Sequence, residues 1–545
     1  MLRHRVIIIA VISMLVGCQL FDSTRTPIDE AKSIADRIIA ETVFETELVD
    51  LNPVADIQIV DFNNIFENSL TENFYARTIF DSPEDTTLKF GISYSAPIRV
   101  FVNEIECFVE EKRTDFYFKE IAYNMFLFQD TIKVDIKQGE NSIVISLANS
   151  EKSYFYLREI TSPEEMLTVS FNKKWLIKSN DEWIAPKLER IEKLVIGQDN
   201  TYKRESYIEW HYAIGGTMLG MYNLYKFTRD HKYYDFIKKF CDFTISHRDT
   251  FKSYYENLHA LRVANYRMFR KSMLDDTGAP TLPLTVIYQE TKNDEYLPVI
   301  EEMGSYVTNE QVRLNDKTLC RPEPLLKTIW ADDLFMSVPF FLMLYKITND
   351  DRYLDDAVIQ IINFHSYLWD ETAQLNKHAW FYEGNQQSLV FWVRANGWIL
   401  WAISEALMTI PSDHSEYDRI RQIYKKSVDG IIKYQSANGL WHQVLNKPES
   451  FQETSGSAMF TLAIARGVNN GWLSNEYSQY VLKGWEGLSK KVSDNGIVKD
   501  ICRGTGIGFN FEFYFNRKRF DNDPRGLGAV LTALVETQRM MDSNR

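Results

Sequence analysis

The sequence predicts a mainly α-helical fold, an (α/α)6 barrel with an N-terminal antiparallel β-sandwich, and three observations lead there. A segment recurs at 224–234, 287–297 and 344–354, each time an apolar residue and Tyr, then Thr with Asn or Asp, then a second Tyr. Such self-similarity outranks any single motif. Six stretches, 215–225, 280–288, 334–345, 397–408, 456–465 and 526–536, are small-residue and apolar on most sides, as inner helices are, and the helices that follow the turns carry a charged face. Residues 55–175 instead alternate apolar and polar over short runs broken by turn residues, the pattern of an antiparallel sandwich.

Taken in order, the chain starts with a short basic region, Arg3, His4 and Arg5, and an apolar run over 6–16 that is too short for a membrane span. The run ends in Leu15, Val16, Gly17 and Cys18, which resembles a bacterial lipoprotein signal. Residues 1–18 are therefore expected to be a signal peptide with Cys18 lipidated. The protein would then lie in the bacterial cell envelope, periplasmic or at the cell surface, and touch the membrane through its lipid anchor only. Residues 27–45 read as an amphipathic helix with Ala31, Ile34, Ala35, Ile38 and Ile39 on one face. Five outer helices can be counted after residue 205, so the sixth is either 27–45 or 184–196. In the first case the sandwich is an insertion.

The sandwich is expected over 50–180, with strands at 57–60, 74–80, 87–92, 98–102, 131–136 and 142–147. Its texture resembles the jelly-roll sandwiches that accompany carbohydrate-active enzymes, and a purely structural accessory role fits equally well. The helical catalytic domain is expected over 200–545.

Composition excludes several classes of function. The formal net charge is −14, which argues against nucleic-acid binding, since that needs a basic face. An anionic small substrate stays possible if a local cation cluster meets it against the overall field. After Cys18 the cysteines are Cys107, Cys241, Cys320 and Cys502, scattered and without CxxC spacing, so neither zinc nor a disulfide framework is indicated. The 9 His form no HExxH pair, so no metal or other cofactor is expected. Gly504, Thr505, Gly506, Ile507 and Gly508 lack the Lys-Ser/Thr of a phosphate loop and read as a turn.

The polar residues that precede the inner helices carry the chemistry. Trp210, His211 and Tyr212 precede the first, and Asp275 and Asp276 lie just before the second. Trp330, Asp332 and Asp333 precede the third. His378, Trp380, Arg394 and Trp398 gather around the start of the fourth, and Trp441, His442 and Glu453 precede the fifth. Thr505, Gly506, Tyr514, Arg517 and the acids at 521–523 precede the sixth. Aromatic rings beside carboxylates suit a sugar pocket, because rings cover the apolar sugar faces and polar groups fix the hydroxyls. An Asp-Asp pair at a helix start reads first as capping. Side chains one residue apart on a helix diverge, so at most one of Asp332 and Asp333 can enter the pocket. Asp332 is assigned to the pocket and Asp333 to capping or supporting it.

Four segments carry a family resemblance: 330–340 (WADDLFMSVPF), 274–280 (LDDTGAP), 394–398 (RANGW) and 522–530 (NDPRGLGAV). In combination and order they resemble the unsaturated glycosyl-uronate hydrolases (unsaturated rhamnogalacturonyl hydrolases) of glycoside hydrolase family 105, related to family 88. The resemblance covers about 205–540 and leaves the sandwich outside it. It implies an (α/α)6 barrel and a cofactor-free reaction. An Asp protonates the C4=C5 double bond of a 4,5-unsaturated uronic acid, water adds at C5, and the hemiketal falls apart to release the neighbouring sugar. By motif, Asp332 is the proton donor and water activator, and Asp275 is the assisting acid, with Asp276 as the alternative. His378, Arg394 and Trp398 fall in the substrate-binding segment, and Arg394 is expected to meet the uronate carboxylate. His211, Trp380, Trp441 and His442 complete the expected binding set. The substrate is expected to be an anionic oligosaccharide, foremost unsaturated galacturonate from rhamnogalacturonan or pectin lyase products. The alternatives are unsaturated glucuronate from glycosaminoglycan or ulvan-type products, or an inactive sugar-binding surface lipoprotein.

Overall fold

The computed structural model describes residues 25–543 apart from 52–58, 67–70, 113–114, 117, 122–124, 161–174, 179–181, 186–188, 198–205, 323–324 and 326. The expected signal segment and Cys18 lie outside the described residues, as do Ile57 and Gln58 of the first expected strand.

The first helix, Pro27–Glu41 (α1), starts at a capping box. The Thr26 hydroxyl accepts from the Asp29 N–H, the Asp29 carboxylate accepts from the Thr26 N–H, and Pro27 supplies the preset φ of the first turn. Ala31, Ile34, Ala35 and Ile38 are buried on one face. Glu30, also buried, accepts from the Trp485 indole and the Ser489 hydroxyl. These contacts fix α1 far along the chain, against helix Ser478–Ser489, and it also packs on the last helix, Pro524–Ser543. The competing segment, 184–196, has no helix among its described residues. Its strand Arg190–Leu194 pairs antiparallel with Thr46–Asp50, and these two strands flank the β region.

The β region has the two sheets the alternation predicts. One runs Leu176–Lys178, Asn73–Ser82, Gly139–Ala148, Ile98–Val102, Ile105–Glu110. The other runs Val60–Asp61, Tyr154–Glu159, Thr86–Tyr94, Asp130–Ile136. All pairings within them are antiparallel. Along 73–82 every second side chain is buried, so Phe74, Ala76 and Phe80 meet Phe90, Ile92 and Phe155 in one core. This core is separate from that of the helices.

The helical region alternates inner and outer helices. The inner ones are Tyr212–Thr228 (α2), Leu274–Thr291 (α4), Asp333–Thr348 (α6), Val393–Leu407 (α8), Thr454–Asn469 (α10) and Pro524–Ser543 (α12). Each packs on the next, and α12 packs back on α2, so the ring closes. Around it lie His231–Asn257 (α3), Leu297–Ser305 (α5), Asp351–Leu368 (α7), Tyr417–Ile431 (α9) and Ser478–Ser489 (α11). With α1 they make six outer helices among the described residues.

Close approach between inner helices depends on glycine. A Cβ on Gly215 of α2 would lie 2.0 Å from the Ala279 carbonyl oxygen of α4, and one on Gly278 of α4 would lie 1.8 Å from the Met336 carbonyl oxygen of α6. Prolines shift the helix boundaries from those expected. Helix α4 begins at Leu274 and runs straight through Pro280 and Pro283. Pro280 has no N–H for the Asp276 carbonyl, which instead accepts from the Trp210 indole at 2.7 Å. That outside donor lets the helix start six residues before the expected boundary and puts Asp275 and Asp276 in its first turn.

Candidate active site

The six inner helices bring their N-terminal ends to one end of the ring, and the polar residues sit there. Asp332 occupies the N-cap position of α6 but makes no capping hydrogen bond, so its carboxylate is not held by the helix. It is largely buried, and its Oδ2 lies 3.3 Å from His378 Nε2. Neither atom has an aligned hydrogen-bond partner among the described residues. Such orphaned buried polar atoms are uncommon, and a shared catalytic task is one recognised reason for them.

His378 is fixed from behind. Its Nδ1 is 2.7 Å from the Tyr514 hydroxyl, which in turn accepts from the Gly508 N–H at 3.0 Å. With that N–H donating to its oxygen, the tyrosine O–H is left to donate a hydrogen bond to Nδ1, and we assign the tautomer with Nε2–H facing Asp332. Burial holds the Tyr514 phenol well above its ordinary pKa, so it stays a hydroxyl. Trp392 and Trp330 pack against the imidazole at ring-centre distances of 4.6 and 5.9 Å.

Asp333, the next residue, serves a different purpose. It is fully buried and takes two nitrogens of Arg321, at 2.9 and 2.6 Å. The same guanidinium donates to Asp275 at 2.9 Å and lies 4.1 Å from the centre of the Trp330 ring. Asp276 faces away and is held by Arg270 and Ser272. Asp275 is therefore the member of the Asp275/Asp276 pair that reaches the cluster. Sequence reasoning passed over Arg321. It lies outside every quoted motif, and its only signal is being a lone Arg in a Cys-Arg-Pro turn.

The charges do not balance. Asp275 and Asp333 share one guanidinium, and the Asp332 charge lies close enough to act on both. Burial raises the pKa of Asp275, Arg321 opposes the rise, and the charges of Asp276 and Asp332 add to it. For Asp333, burial is again the largest effect; Arg321 opposes it, and the net result is a rise to about 6. The Asp275–Asp333 pair therefore retains a proton in the weakly acidic range.

Tyr212, in the first turn of α2, is where the charges meet. Its hydroxyl accepts from Arg525 Nε at 3.1 Å. Burial pushes its pKa up to about 12, with Arg525, Asp275, Arg394 and Asp332 the charged groups around it. Trp398 crosses the Tyr212 ring edge-on at 6.3 Å and packs on Phe335 at 4.7 Å, which makes it the floor beneath the polar groups. His211 caps α2 by accepting from the Ala213 N–H, and its ring lies 4.4 Å from that of Tyr212.

Four expected binding residues are engaged elsewhere. Arg394 is buried, with its guanidinium donating to the Ser455 hydroxyl and to the carbonyls of Cys502 and Arg503. It anchors the 502–506 turn and does not present a free cation. Trp380 packs on Tyr367 and donates to Asn385. Trp441 donates to the Ile431 carbonyl and packs edge-on to Phe460, inside the wall between helices. His442 is bonded to the Ser450 carbonyl within its own loop. An aromatic or His before an inner helix faces the pocket only if its backbone turns it that way, and Trp380, Trp441 and His442 turn into the surrounding packing.

Comparison with known proteins bears on this cluster. Residues 187–541 match the family model described as Glycosyl Hydrolase Family 88. The chain is 28% identical over 259 residues to the unsaturated rhamnogalacturonyl hydrolase YesR of Bacillus subtilis (strain 168), an alignment that covers 46% of this chain and 74% of that protein. It is 32% identical over 217 residues to the unsaturated 3S-rhamnoglycuronyl hydrolase of Alteromonas sp. (strain LOR), covering 39% of this chain and 51% of that one, so it spans about half of the second relative's length. A solved family 105 glycoside hydrolase of C. acetobutylicum ATCC 824 superposes with a TM-score of 0.54 at 25% identity, over 61% of this chain and 94% of that one. A possible family 105 member from Salmonella enterica shares the fold at a TM-score of 0.55 and 24% identity, over 62% and 85% of the two chains.

Proposed function

The chain belongs to glycosyl hydrolase family 88 and is a glycoside hydrolase of the unsaturated-uronate type, and from that membership we propose that Asp332 protonates the C4=C5 double bond of a 4,5-unsaturated uronic acid. The observation that carries the reading is the Asp332–His378 pair, two buried polar atoms 3.3 Å apart with no aligned hydrogen-bond partner among the described residues. A vinyl-ether carbon is a weak base, so its acid must keep its proton near working pH.

In this mechanism the Asp332 proton goes to C4, and positive charge develops at C5, where the ring oxygen shares it. The Asp332 carboxylate then takes a proton from water as the water oxygen bonds to C5. The C5 hemiketal opens to a ketone, and the freed hemiacetal at C1 expels the neighbouring sugar as an alcohol. His378, held by Tyr514, orients the Asp332 carboxylate. Asp275 and Arg321 set the local charge. Arg525, which donates to Tyr212 and to the Asp523 carboxylate at the first turn of α12, is the cation we assign to the uronate carboxylate in place of Arg394, and Trp398 floors the ring. The closed sequence of inner helices with a layer of outer ones supports the (α/α)6 barrel as the architecture.

We favour unsaturated galacturonate linked to rhamnose as substrate, in line with the relative named a rhamnogalacturonyl hydrolase. A rhamnoglycuronyl substrate is the second reading, supported by the relative at 32% identity. The test follows the ultraviolet absorbance of the conjugated uronate while the protein is mixed with lyase digests of rhamnogalacturonan, ulvan and glycosaminoglycan. Decay with one digest assigns the substrate, and persistence with all three refutes the activity. The lipid anchor at Cys18 is a separate proposal, tested by whether Cys18→Ser releases the protein from membranes.

A further inference from the structure

We propose that a cleft beside Phe381 and Phe509 is a second sugar subsite, one that holds the leaving sugar and selects an uncharged ring. The inference rests on the uronate-hydrolase reading of Asp332 and extends it to the other side of the scissile bond.

The cleft has a volume of about 330 Å³ and is lined by Phe381, Phe509, Leu325, Leu389, Glu383 and Gln386, among others. Several of these are apolar side chains left in water, since Phe509 is 73% exposed, Leu389 48% and Leu325 41%. An apolar patch of this kind beside a working pocket marks a contact surface. The Phe381 and Phe509 rings lie near parallel, 20° apart with centres separated by 6.1 Å. Phe381 is buried beneath, so the exposed Phe509 ring is the platform offered to the C–H face of a sugar ring. Glu383 and Gln386 add a carboxylate and an amide to the lining, groups that suit sugar hydroxyls. No Lys or Arg is among the described residues lining the cleft. An anionic sugar would thus face Glu383 uncompensated, whereas a neutral one would not.

Backbone geometry joins the cleft to the catalytic pair. Strand Ile329–Trp330 pairs with Ala379–Phe381, with Trp330 opposite Ala379. Phe381 lies two residues beyond Ala379, so it shares a sheet face with Trp330. The 506–509 loop lies over that face. A Cβ on Gly506 would sit 3.9 Å from the Trp330 ring, and Phe509 lies on Phe381. Between them the Gly508 N–H holds the Tyr514 hydroxyl that holds His378. The loop that positions the catalytic imidazole is therefore also one wall of the cleft. A sugar leaving Asp332 along this wall reaches the platform first.

The test uses the full chain and two substrates, an unsaturated galacturonate linked to rhamnose and its methyl glycoside, which has no second ring. Phe509→Ala is expected to lower kcat/KM about tenfold on the disaccharide, through KM, the upper end of what an aromatic contact contributes. Its kcat/KM on the methyl glycoside should stay unchanged, and Phe509→Tyr should retain both. Equal loss on both substrates would overturn the subsite and make Phe509 a prop for Tyr514. No loss on either would overturn it as well, and a concurrent change in gel-filtration size would give the cleft to a second copy of the chain. Charge selection is read with a sulfated leaving sugar. The unaltered protein should prefer the neutral disaccharide, and Glu383→Gln should narrow the gap; an unchanged gap refutes the selection. Inactivity of the unaltered protein on both uronates would sink the parent reading, whereas activity there with no Phe509 effect sinks the subsite alone.

Discussion

Arg321 bridges the first turns of two neighbouring inner helices, 2.6 Å from Asp333 on α6 and 2.9 Å from Asp275 on α4. All three side chains are buried. Removing the one cation leaves two carboxylates facing each other out of water. Arg321→Met is expected to cost about 3–5 kcal/mol, the usual penalty for breaking a buried pair on one side. Urea unfolding at pH 7 measures it. The deficit should shrink as pH falls and the stranded carboxylates protonate. A pH-independent deficit would mean that lost packing against Trp330, and not charge, is what Arg321 supplies.

Asp332→Asn separates chemistry from stability. Asp332 does not cap α6, so the amide removes no hydrogen bond that the helix needs. It also relieves repulsion with Asp275 and Asp333. Activity on the unsaturated uronate should fall by at least about 10²–10⁴-fold, the scale of a lost general acid. The unfolding midpoint should hold or rise slightly. A variant that keeps wild-type turnover would take the proton-donor role away from Asp332.

The carboxylate cluster predicts an unusual pH dependence of stability. Asp275 and Asp333 have folded pKa values raised above the ordinary 3.8, with Asp333 at about 6. A raised group binds its proton more tightly when folded. Its contribution is therefore complete below the unfolded value and is lost as pH rises through the folded one. Between about pH 4 and 6 the cluster should give up stability, the reverse of a salt-bridged carboxylate. Subtracting the unfolding free energy of Asp333→Asn from that of the wild type at each pH isolates the effect. The difference should decline across this window, and kcat/KM should fall on its alkaline side. A flat difference would show the cluster ionised throughout.

Tyr514→Phe tests whether His378 needs its second partner. The ring stays, so packing against His378 at 5.7 Å is kept, while the hydrogen bond to Nδ1 is lost. The expected outcome is a fall in kcat of about 10–100-fold, as for other partners that orient a functional imidazole. The pH profile should change shape because the tautomer is no longer fixed. A simple scaling of the wild-type profile would point to a packing role alone.

These residues also show how far the sequence could be read. The inner and outer helices were legible because apolar periodicity and the repeated turn report directly on burial. Asp275 and Asp332 were legible because a helix start before an apolar run gives their position. Arg321 was not, since its partners lie 46 and 12 residues away and meet only once α4 and α6 pack. Arg394 was assigned to substrate because its residue type suits a carboxylate, yet three protein oxygens already hold it. Residue type and spacing locate a side chain on an element, but what it faces depends on loops that carry no periodic signal. The boundary of α4 was misplaced for a related reason. Pro280 reads as the first turn of the helix until Trp210, 70 positions earlier, is seen to supply the donor that lets the helix begin at Leu274.

Gly278→Ala probes the link between packing and catalysis. A Cβ at that position would fall 1.8 Å from the Met336 carbonyl oxygen, and backbone cannot rotate aside as a side chain can. Helix α4 must therefore move off α6. Overpacking of this sort costs about 1–3 kcal/mol or more. The same movement stretches the Asp275–Arg321–Asp333 bridge, which spans those two helices one turn away. The variant should lose both stability and turnover, and the alkaline limb of its pH profile should shift as the carboxylates separate. The comparison is Gly215→Ala, which forces α2 off the Ala279 carbonyl at 2.0 Å without touching that bridge. It should destabilise similarly and leave the pH profile in place. If both glycine variants moved the profile alike, general loosening of the ring would explain the effect, and the α4–α6 bridge would not be what holds the catalytic charge.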